Sequence, residues 1–361
     1  MSRNIEHPLI AVLLLSVFLA GCDSPRDAND LFVDYQQRVG NVLDIEPPTP
    51  VSPRNIGIFP SRDERLFALP DMRMGMLDVY ALRTCRILPL IAERNSQLGK
   101  LAAASQHWLY ELELWRRLRQ CWTTATPDRL EADDRQRLLA LTLAKTQQLP
   151  KASWNAIFDS DEWVGGFSRA SHAPSPESAW SLGDDLAALA YLRHAILHQF
   201  DPAWSPESAT LEGHLKILRQ RPLSAQLLRG LLLATQRLEE LSDTLETHLA
   251  ERPICYKGHS NPRADYLYNV FVNTFIGEVQ PYLADLTRAS RDWLSAVNHL
   301  LSAFSVSRPA IDHYQDTWLS LSAPDAPWQQ FLAATQRHVR IWQAIWRSCG
   351  MLPGEKGGSR T

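Results

Sequence analysis

Residues 224–251 read SAQLLRGLLLATQRLEELSDTLETHLAE, and this stretch predicts the fold class of the chain. Its apolar residues recur three and four positions apart, which places them on one face of an α-helix. Such a face is typical of a helix that packs along another helix, as in a coiled coil. The residues that form it are Leu227, Leu231, Ala234, Leu238, Leu241 and Leu245. We therefore expect a long helix packed inside a bundle formed by its own chain.

Most of the remaining sequence repeats this helical spacing, and convincing strand patterns are nearly absent. Several segments open with a capping residue followed by a proline, which favours the start of a helix. The predicted helices cover residues 25–42 after a Ser24 cap, 71–95 after an Asp71 cap, 105–122, 127–149, 176–199, 206–219, 224–251, 264–305 with an interruption at Pro281, 309–321 and 327–348. The fold class expected is all-α: a multi-helix bundle, elongated or two-lobed, with a short irregular N-terminal segment.

The start of the chain has the three zones of a secretory signal. Arg3 lies near the beginning, residues 9–20 are apolar, and small residues precede Cys22. A helix needs about twenty apolar residues to cross a bilayer, so this shorter run argues against a retained transmembrane helix. The sequence Leu19-Ala20-Gly21-Cys22 resembles the lipobox of bacterial lipoproteins.

That resemblance implies a lipid anchor on Cys22. In such lipoproteins the signal peptide is removed, and the cysteine receives a diacylglycerol and a further acyl chain such as palmitate. Each buried methylene contributes about 0.8 kcal/mol, so several chains hold the protein on the membrane effectively permanently. Asp23 resembles an inner-membrane retention signal, which favours the inner over the outer membrane slightly, with the body facing the periplasm. The expected divisions are a signal peptide (1–21), a lipidated helix and proline-rich spacer (22–70), an all-helical domain (71–352) and a disordered tail (353–361).

The spacer is predicted from the sequence EPPTPVSP at residues 46–53. Its prolines remove backbone donors and favour an extended polyproline conformation. Residues 54–70 are expected to be irregular or short-stranded. The spacer would link the anchored first helix to the rest of the chain.

Composition excludes some classes of partner and leaves others open. The formal net charge is −3 at pH 7, which indicates neither a nucleic-acid-binding surface nor a polybasic membrane patch. The chain has 12 tryptophans, and two uses for them are open: core packing, which their helical spacing favours, and a stacking platform for a glycan. The tryptophans considered are Trp108, Trp115, Trp122, Trp154, Trp180, Trp204, Trp293, Trp328, Trp342 and Trp346.

Four cysteines remain once Cys22 carries lipid: Cys85, Cys121, Cys255 and Cys349. An even number in an oxidising compartment indicates two disulfides, for which three connectivities exist. We favour Cys85 with Cys121 and Cys255 with Cys349, because each pair then joins segments that the helix pattern can place side by side. A metal cluster is less favoured, since no two of these cysteines have the close spacing of a metal-binding motif.

A first polar block follows the predicted helix 71–95. Glu93, Arg94 and Asn95 are read most simply as a helix end, where a basic side chain complements the helix dipole. The alternative is a binding pocket in which they converge with Tyr110 and Glu111 of the next helix.

A second polar block surrounds a proline within a helical run. Glu278 and Gln280 come just before Pro281 in the sequence. A kink is expected there, because proline has no N–H to donate to the backbone carbonyl one helical turn earlier. A kink alone is the favoured interpretation, and a binding role for Glu278 and Gln280 is the alternative.

Two histidines have the spacing of a metal pair. His194 and His198 stand on one face of a predicted helix, with Asp185 or Asp201 as a conceivable third ligand. The glutamate of a zinc-protease motif is missing between them, so neither a metal nor a catalytic base is assigned. Phosphate-binding glycine loops, nucleophile elbows and dinucleotide fingerprints are also missing from the sequence, and no cofactor or catalytic residue is predicted.

Several of these blocks together resemble a family of uncharacterised gammaproteobacterial lipoproteins that share domain of unknown function 3080. The residues concerned are Leu77-Asp78 with Cys85, Ala92-Glu93-Arg94-Asn95-Ser96 with Leu98-Gly99, Leu109-Tyr110-Glu111, Cys255 with Gly277-Glu278-Val279-Gln280-Pro281-Tyr282, and Trp342-Gln343 with Cys349-Gly350. The resemblance implies a lipid-anchored envelope protein. It carries over no activity and no catalytic residue.

The sequence therefore favours a non-enzymatic binding or adaptor protein of the cell envelope, with an envelope protein as its partner and no nucleic acid. An enzyme is not excluded, because catalytic groups are assembled in space. Two alternatives stay open: a periplasmic small-ligand or glycan binder with a polar, Trp-lined pocket built from the two polar blocks, and a metal-dependent hydrolase around His194 and His198.

Overall fold

Helices form nearly all of the regular structure in the computed structural model, which describes residues 26–70, 75–178, 180–256 and 258–352. The α-helices are α1 (Ala28–Leu43), α2 (Arg62–Arg65), α3 (Met76–Ala81), α4 (Leu88–Asn95), α5 (Gln97–Lys100), α6 (Ala104–Thr123), α7 (Ala132–Phe158), α8 (Asp161–Gly165), α9 (Gly183–Leu197), α10 (Ser208–Arg219), α11 (Leu223–Glu251), α12 (Pro262–Val270), α13 (Gln280–Leu301), α14 (Pro309–Tyr314) and α15 (Pro327–Ser348). Short 3₁₀ turns lie at Arg83–Cys85 and Pro127–Arg129, and π-helical segments at Phe271–Val279 and Gln315–Leu319. The described residues contain no sheet, only an isolated bridge between Tyr256 and His259. The all-α prediction is confirmed.

Helix α11 lies at the centre of the larger of two hydrophobic cores. It packs along α15 and also contacts α1 and α13. The six apolar residues of its predicted face are each at most 1% exposed. The predicted boundaries of α11 and α15 agree with the structure to within one residue.

A buried hydrogen-bonded cluster joins α1, α11 and α15 inside this core. The indole N–H of Trp342 donates to the hydroxyl of Tyr35 at 2.8 Å, and that hydroxyl lies 2.8 Å from Nε2 of His338. Nδ1 of His338 lies 3.0 Å from the Ser242 hydroxyl. Burial lowers the pKa of His338 to about 3, with a smaller effect from the charge of Arg337, so its imidazole is neutral in the folded protein.

The smaller core surrounds a disulfide at one end of the α6–α7 hairpin. It includes Leu82 and Ile87 from the segment before α4, together with Leu118 of α6 and Leu138 of α7. The contacts of this core are local to the first half of the chain. Within the described residues, no helix is long and apolar enough to cross a bilayer.

The prediction of one helix over residues 71–95 is wrong. The described part of that range holds α3, a 3₁₀ turn and α4, and the chain turns at Arg86, whose φ of 55° is left-handed. Pro89 then occupies the first turn of α4, where its missing N–H costs nothing. Asp71, the predicted cap, lies outside the described residues.

Several other predicted helix boundaries also differ from the structure, among them the start of α7, which lies at Ala132 and not at 127. Helix α7 continues through Pro150 to Phe158, although the prediction ended at 149. Helix α9 starts at Gly183, later than the predicted 176. The expected interruption before Pro281 takes the form of the π-helical segment Phe271–Val279, which ends just before that proline.

The proline-rich stretch predicted as a spacer lies against the body of the protein. The carbonyl of Val51 accepts a hydrogen bond from Arg237 at 2.8 Å, and that of Arg54 accepts one from Arg229 at 3.0 Å. Ile56 is 1% exposed in the large core. Helix α1 is part of the same core and begins after Asp27, whose side chain caps it; the predicted Ser24 cap lies outside the described residues.

Candidate functional site

A cleft of about 670 Å³ opens between α6, α7 and the segment that contains α2. We call residues 60–69 of that segment the wall segment. The cleft is lined by apolar groups (Leu66, Phe67, Ala68, Leu69, Ala104 and Ala152) and by polar ones (Arg62, Asp63, His107, Asn155, Asp159 and Arg308). Its volume is in the range typical of small-molecule sites.

Helix α7 fixes the wall segment by hydrogen bonds to its backbone. The Asn155 side chain accepts from the amide of Phe67 at 2.9 Å and donates to the carbonyl of the same residue at 2.8 Å. The indole N–H of Trp154 donates to the carbonyl of Arg65 at 2.7 Å, and Nε of Arg65 donates to the carbonyl of Phe158 at 2.6 Å. Because several bonds hold one short segment, the cleft is formed before any ligand arrives.

An ion pair forms part of the lining of the cleft. Arg62 donates from Nε and Nη2 to the two carboxylate oxygens of Asp159, at 2.8 and 2.6 Å. These hydrogen bonds, and then the charge of Asp159, raise the pKa of Arg62. Arg62 is mostly exposed, so the pair contributes little to stability and mainly positions α2 on the end of α7.

Arg308 reaches the cleft from the segment just before α14. Its Nε donates to the carbonyl of Glu64 at 2.8 Å and its Nη2 to the carbonyl of Asp63 at 2.9 Å. Its guanidinium carbon lies 5.5 Å from the ring centroid of Phe67, and Nζ of Lys151 lies 5.8 Å from the same centroid. These two hydrogen bonds of Arg308 go to neutral carbonyls, so no carboxylate is hydrogen-bonded to its guanidinium among the described contacts. The nearest acidic group is the exposed Asp63 carboxylate, whose pKa is lowered by a hydrogen bond from Ser61 and, to a smaller extent, by the charge of Arg308.

His107 is a half-buried residue that connects the cleft with the first polar block. Its Nε2 lies 3.3 Å from the carbonyl of Gly99, and Nη1 of Arg94 donates to that same carbonyl at 3.0 Å. Burial, and then the positive charge of Arg94, lower the pKa of His107. The imidazole is therefore neutral at pH 7.

The start of the first polar block is a helix end. Glu93, Arg94 and Asn95 are the last residues of α4, and a Cβ added to Gly99 would lie 2.3 Å from the carbonyl oxygen of Glu93. Only glycine fits so close an approach, so this part of the block serves the turn between α4 and α5.

The α6 residues of the first block lie beside α7. Glu111 accepts two hydrogen bonds from Nζ of Lys145, at 2.8 and 3.0 Å, and Lys145 is buried. Burial raises the pKa of Tyr110 to about 12; the charge of Glu111 adds to this effect and that of Arg94 opposes it. Arg94, Tyr110 and Glu111 are thus neighbours, but none of them lines the cleft.

The second polar block has different neighbours. Glu278 lies in the π-helical segment next to α13 and forms an ion pair with Arg26, while Gln280 is exposed. That segment packs on α1, α12 and α13, whereas α4 packs on α5 and α6. The described contacts do not bring Glu93 and Glu278 into one pocket.

The two histidines with metal spacing lie together without an arranged third ligand. The rings of His194 and His198 stack 3.9 Å apart, and Nδ1 of His198 lies 2.9 Å from the carbonyl of His194. Asp185 pairs with Arg221, and Asp201 accepts from the amide of Ala203. Across the described ranges, no group of three or more His, Cys, Asp or Glu residues is placed to hold a metal ion.

The cysteines form the two pairs that the sequence favours. Cys85 is bonded to Cys121, with their Cα atoms 5.2 Å apart, and Cys255 to Cys349, with theirs 5.1 Å apart. The first disulfide belongs to the smaller core and the second to the larger one. Cys22 lies outside the described residues.

The tryptophans serve the core more than any surface. Trp122, Trp180 and Trp204 are half-buried. The other tryptophans named in the sequence analysis are buried, namely Trp108, Trp115, Trp154, Trp293, Trp328, Trp342 and Trp346. These seven tryptophans are therefore packed in the core, which was the favoured of the two interpretations.

Sequence reasoning missed the cleft residues. Asn155 and Phe67 are 88 positions apart, and neither belongs to a sequence motif that predicts a contact between them. A partial signal was present in Ser61 and Glu64, a capping box that predicts the short helix α2. Nothing comparable indicated Arg308 or His107.

Comparisons with known proteins agree with the family resemblance in the sequence. The model of a family described as "Protein of unknown function (DUF3080)" matches residues 32–353. No curated protein and no solved structure matches the chain. Since the matched range runs from within α1 to beyond α15, the chain belongs to this family of proteins of unknown function.

Proposed function

We propose that this protein is a lipid-anchored protein of the bacterial envelope that binds a ligand in the cleft and performs no reaction on it. The lipobox-like sequence ending at Cys22 supports the anchor, and the inner membrane remains slightly favoured by Asp23. The two disulfides support a periplasmic location, since such bonds persist in oxidising compartments.

The observation that carries the binding role is the fixed wall of the cleft. Asn155 binds both backbone groups of Phe67, so the apolar ring is held in place at the edge of a cavity of about 670 Å³. Arg308 is held beside that ring by two carbonyls. The ligand that fits this arrangement has an apolar, preferably aromatic, part and an acidic group.

The polar groups of the cleft favour binding over catalysis. The Asp159 carboxylate is engaged by Arg62, and the imidazole of His107 lies against a backbone carbonyl. A general acid and base would need to reach a substrate proton directly or through one water molecule. These groups instead stabilise the walls.

The proposal is tested with a pair of fluorescent probes that differ in charge. 8-Anilinonaphthalene-1-sulfonate carries an acidic group on an aromatic body, and N-phenyl-1-naphthylamine is its neutral counterpart. We expect Arg308→Gln to weaken binding of the sulfonate by at least about tenfold, the equivalent of one charge-assisted hydrogen bond, and to weaken binding of the neutral probe much less, since that probe loses only the wall contacts of Arg308. Phe67→Ala should weaken binding of both probes.

The matched control is Arg291→Gln, because Arg291 is an exposed arginine on α13 that pairs only with its neighbour Asp292 among the described ion pairs. Circular dichroism confirms that each variant is folded before titration. Equal affinity of the sulfonate for wild type, Arg308→Gln and Phe67→Ala would rule out the cleft as its binding site.

A further inference from the structure

His107 lines the cleft from the first turn of α6, and one of its two ring nitrogens is bound to the protein. Its Nε2 lies 3.3 Å from the carbonyl oxygen of Gly99, a residue outside the described lining of the cleft. A carbonyl oxygen can only accept a hydrogen bond, so a neutral imidazole in this place carries its proton on Nε2. Nδ1 then has a free lone pair and is a hydrogen-bond acceptor.

Nδ1 of His107 has no partner among the described hydrogen bonds. The buried polar atoms without a partner in the described residues do not include this nitrogen, so solvent reaches it. The two nitrogens of an imidazole point to different sides of the ring, and here Nε2 is turned to Gly99 in α5. Nδ1 is therefore the ring nitrogen that remains for a ligand.

The surroundings of His107 favour an acceptor over a base. Burial, and then the positive charge of Arg94, lower the pKa of His107 below its ordinary value of 6.5. The hydrogen bond with Gly99 and the charges of Glu111 and Asp159 have smaller, opposite effects. At pH 7 the ring therefore keeps its lone pair on Nδ1 and takes up no proton, as a binding role requires.

The other side-chain acceptors among the described lining residues are engaged or exposed. The amide oxygen of Asn155 accepts from the backbone of Phe67, and the carboxylate of Asp159 accepts from Arg62. The Asp63 carboxylate is exposed, so water competes for it. The half-buried imidazole is thus the acceptor whose pairing with a ligand has the largest effect on affinity.

We infer that Nδ1 of His107 faces the cleft and accepts a hydrogen bond from an N–H or O–H group of the ligand. This inference rests on the proposed function and narrows its ligand class to aromatic acids that also carry such a donor, as indole acids do. A ligand of the same shape without the donor would cover the acceptor and leave it unpaired, which costs binding free energy. His107 would therefore determine specificity, while Arg308 binds the acidic group.

The experiment compares two acids of the same shape and charge. Indole-3-acetate carries a ring N–H, and benzofuran-3-acetate has a ring oxygen in its place. Isothermal titration calorimetry on the full chain measures both affinities. We expect the indole acid to bind at least about tenfold more tightly, because the benzofuran leaves the acceptor unpaired. This comparison on the wild type needs no variant.

A variant then assigns the preference to one side chain. His107→Phe keeps an aromatic ring and removes the acceptor, so the two acids should bind it with equal affinity. The matched control is His299→Phe, because His299 is an exposed histidine on α13, and this variant should keep the preference of the wild type. Circular dichroism confirms that both variants are folded.

The outcomes separate this inference from the proposed function. Equal affinity of the two acids for the wild type overturns the inference, and so does a preference that persists in His107→Phe. Binding of the anilinonaphthalene sulfonate without binding of either acid overturns the inference and leaves the proposed function standing. Acids whose binding does not respond to Arg308→Gln bind outside the cleft, which contradicts both.

Discussion

Asn155 joins two parts of the chain that are 88 positions apart, and the wall of the cleft depends on it. We predict that Asn155→Ala removes both hydrogen bonds to the Phe67 backbone and lowers the free energy of unfolding by about 1–3 kcal/mol. It should also abolish binding of the anilinonaphthalene sulfonate. Urea denaturation and probe titration measure the two effects, and Gln147→Ala, at an exposed position on the same helix, is the control. Normal probe binding in Asn155→Ala would mean that the wall does not form the site.

Lys145 and Glu111 form an ion pair of which the lysine is 8% and the glutamate 16% exposed. Removing one partner leaves the other charge buried without compensation, so we predict that Lys145→Met costs about 3–5 kcal/mol. The double variant Lys145→Met with Glu111→Leu should recover most of this loss, because both charges are gone. Chemical denaturation of the wild type, of each single variant and of the double variant gives the coupling energy between the two side chains. Additive effects would show that the pair is not coupled.

His338 should make stability depend on pH. Its folded pKa of about 3 lies below the ordinary value of 6.5, so the unfolded chain binds the proton more readily. The stability that comes from keeping His338 neutral is complete above pH 6.5 and is lost as the pH falls towards 3, by about 1.4 kcal/mol per pH unit. We predict that between pH 7 and pH 5 the wild type loses about 2 kcal/mol more than His338→Gln, as measured by urea denaturation at each pH. Parallel losses in the two proteins would contradict a neutral buried histidine.

At the scale of elements, the disulfide Cys85–Cys121 holds the segment before α4 on the α6–α7 hairpin. The bonded residues are 36 positions apart, and in the chain-entropy model a loop of this length contributes about 4 kcal/mol. We predict that Cys85→Ser with Cys121→Ser raises hydrogen exchange in the smaller core and leaves α11 and α15 protected. Exchange mass spectrometry measures this, with the double serine variant of Cys255 and Cys349 as the converse control. Uniformly faster exchange would show that the two cores do not open separately.

Helices were predictable where one apolar face runs without interruption. Helices α11 and α15 follow directly from their three-and-four spacing, since burial of that face dominates their energetics. The positions where a helix ends or continues were less predictable, because they depend on the backbone conformation of single residues. The left-handed turn at Arg86 and the continuation of α7 through Pro150 are examples, since in both places tertiary packing overrides local preference.

The cleft could not be predicted for a different reason. Arg308 binds the carbonyls of Asp63 and Glu64 across more than 240 positions of sequence. Backbone carbonyls carry no residue signature, so no pattern reveals such a contact. The proline-rich stretch is a related case, because the carbonyl of Val51 binds Arg237 where the composition predicted a semi-rigid spacer.

At the scale of the whole molecule, the start of the described chain and the cleft are different parts of one body. Arg26 pairs with Glu278 at the start of the described chain, while the cleft lies between α6, α7 and the wall segment. The cysteine pairs were predictable at this scale, because an even number of cysteines, in the oxidising compartment that the sequence suggests, favours disulfides. The ligand class that we propose rests only on the geometry around Phe67 and Arg308.

Lipid on Cys22 would hold this body outside the cytosol, and intact-mass spectrometry of the protein extracted from its native membranes shows whether the lipid is there. We expect a chain that starts at Cys22, carries diacylglycerol and a further acyl chain there, and resists alkylation because its other four cysteines are paired. A chain that retains residues 1–21 without lipid, or one whose cysteines all react as free thiols, would contradict it.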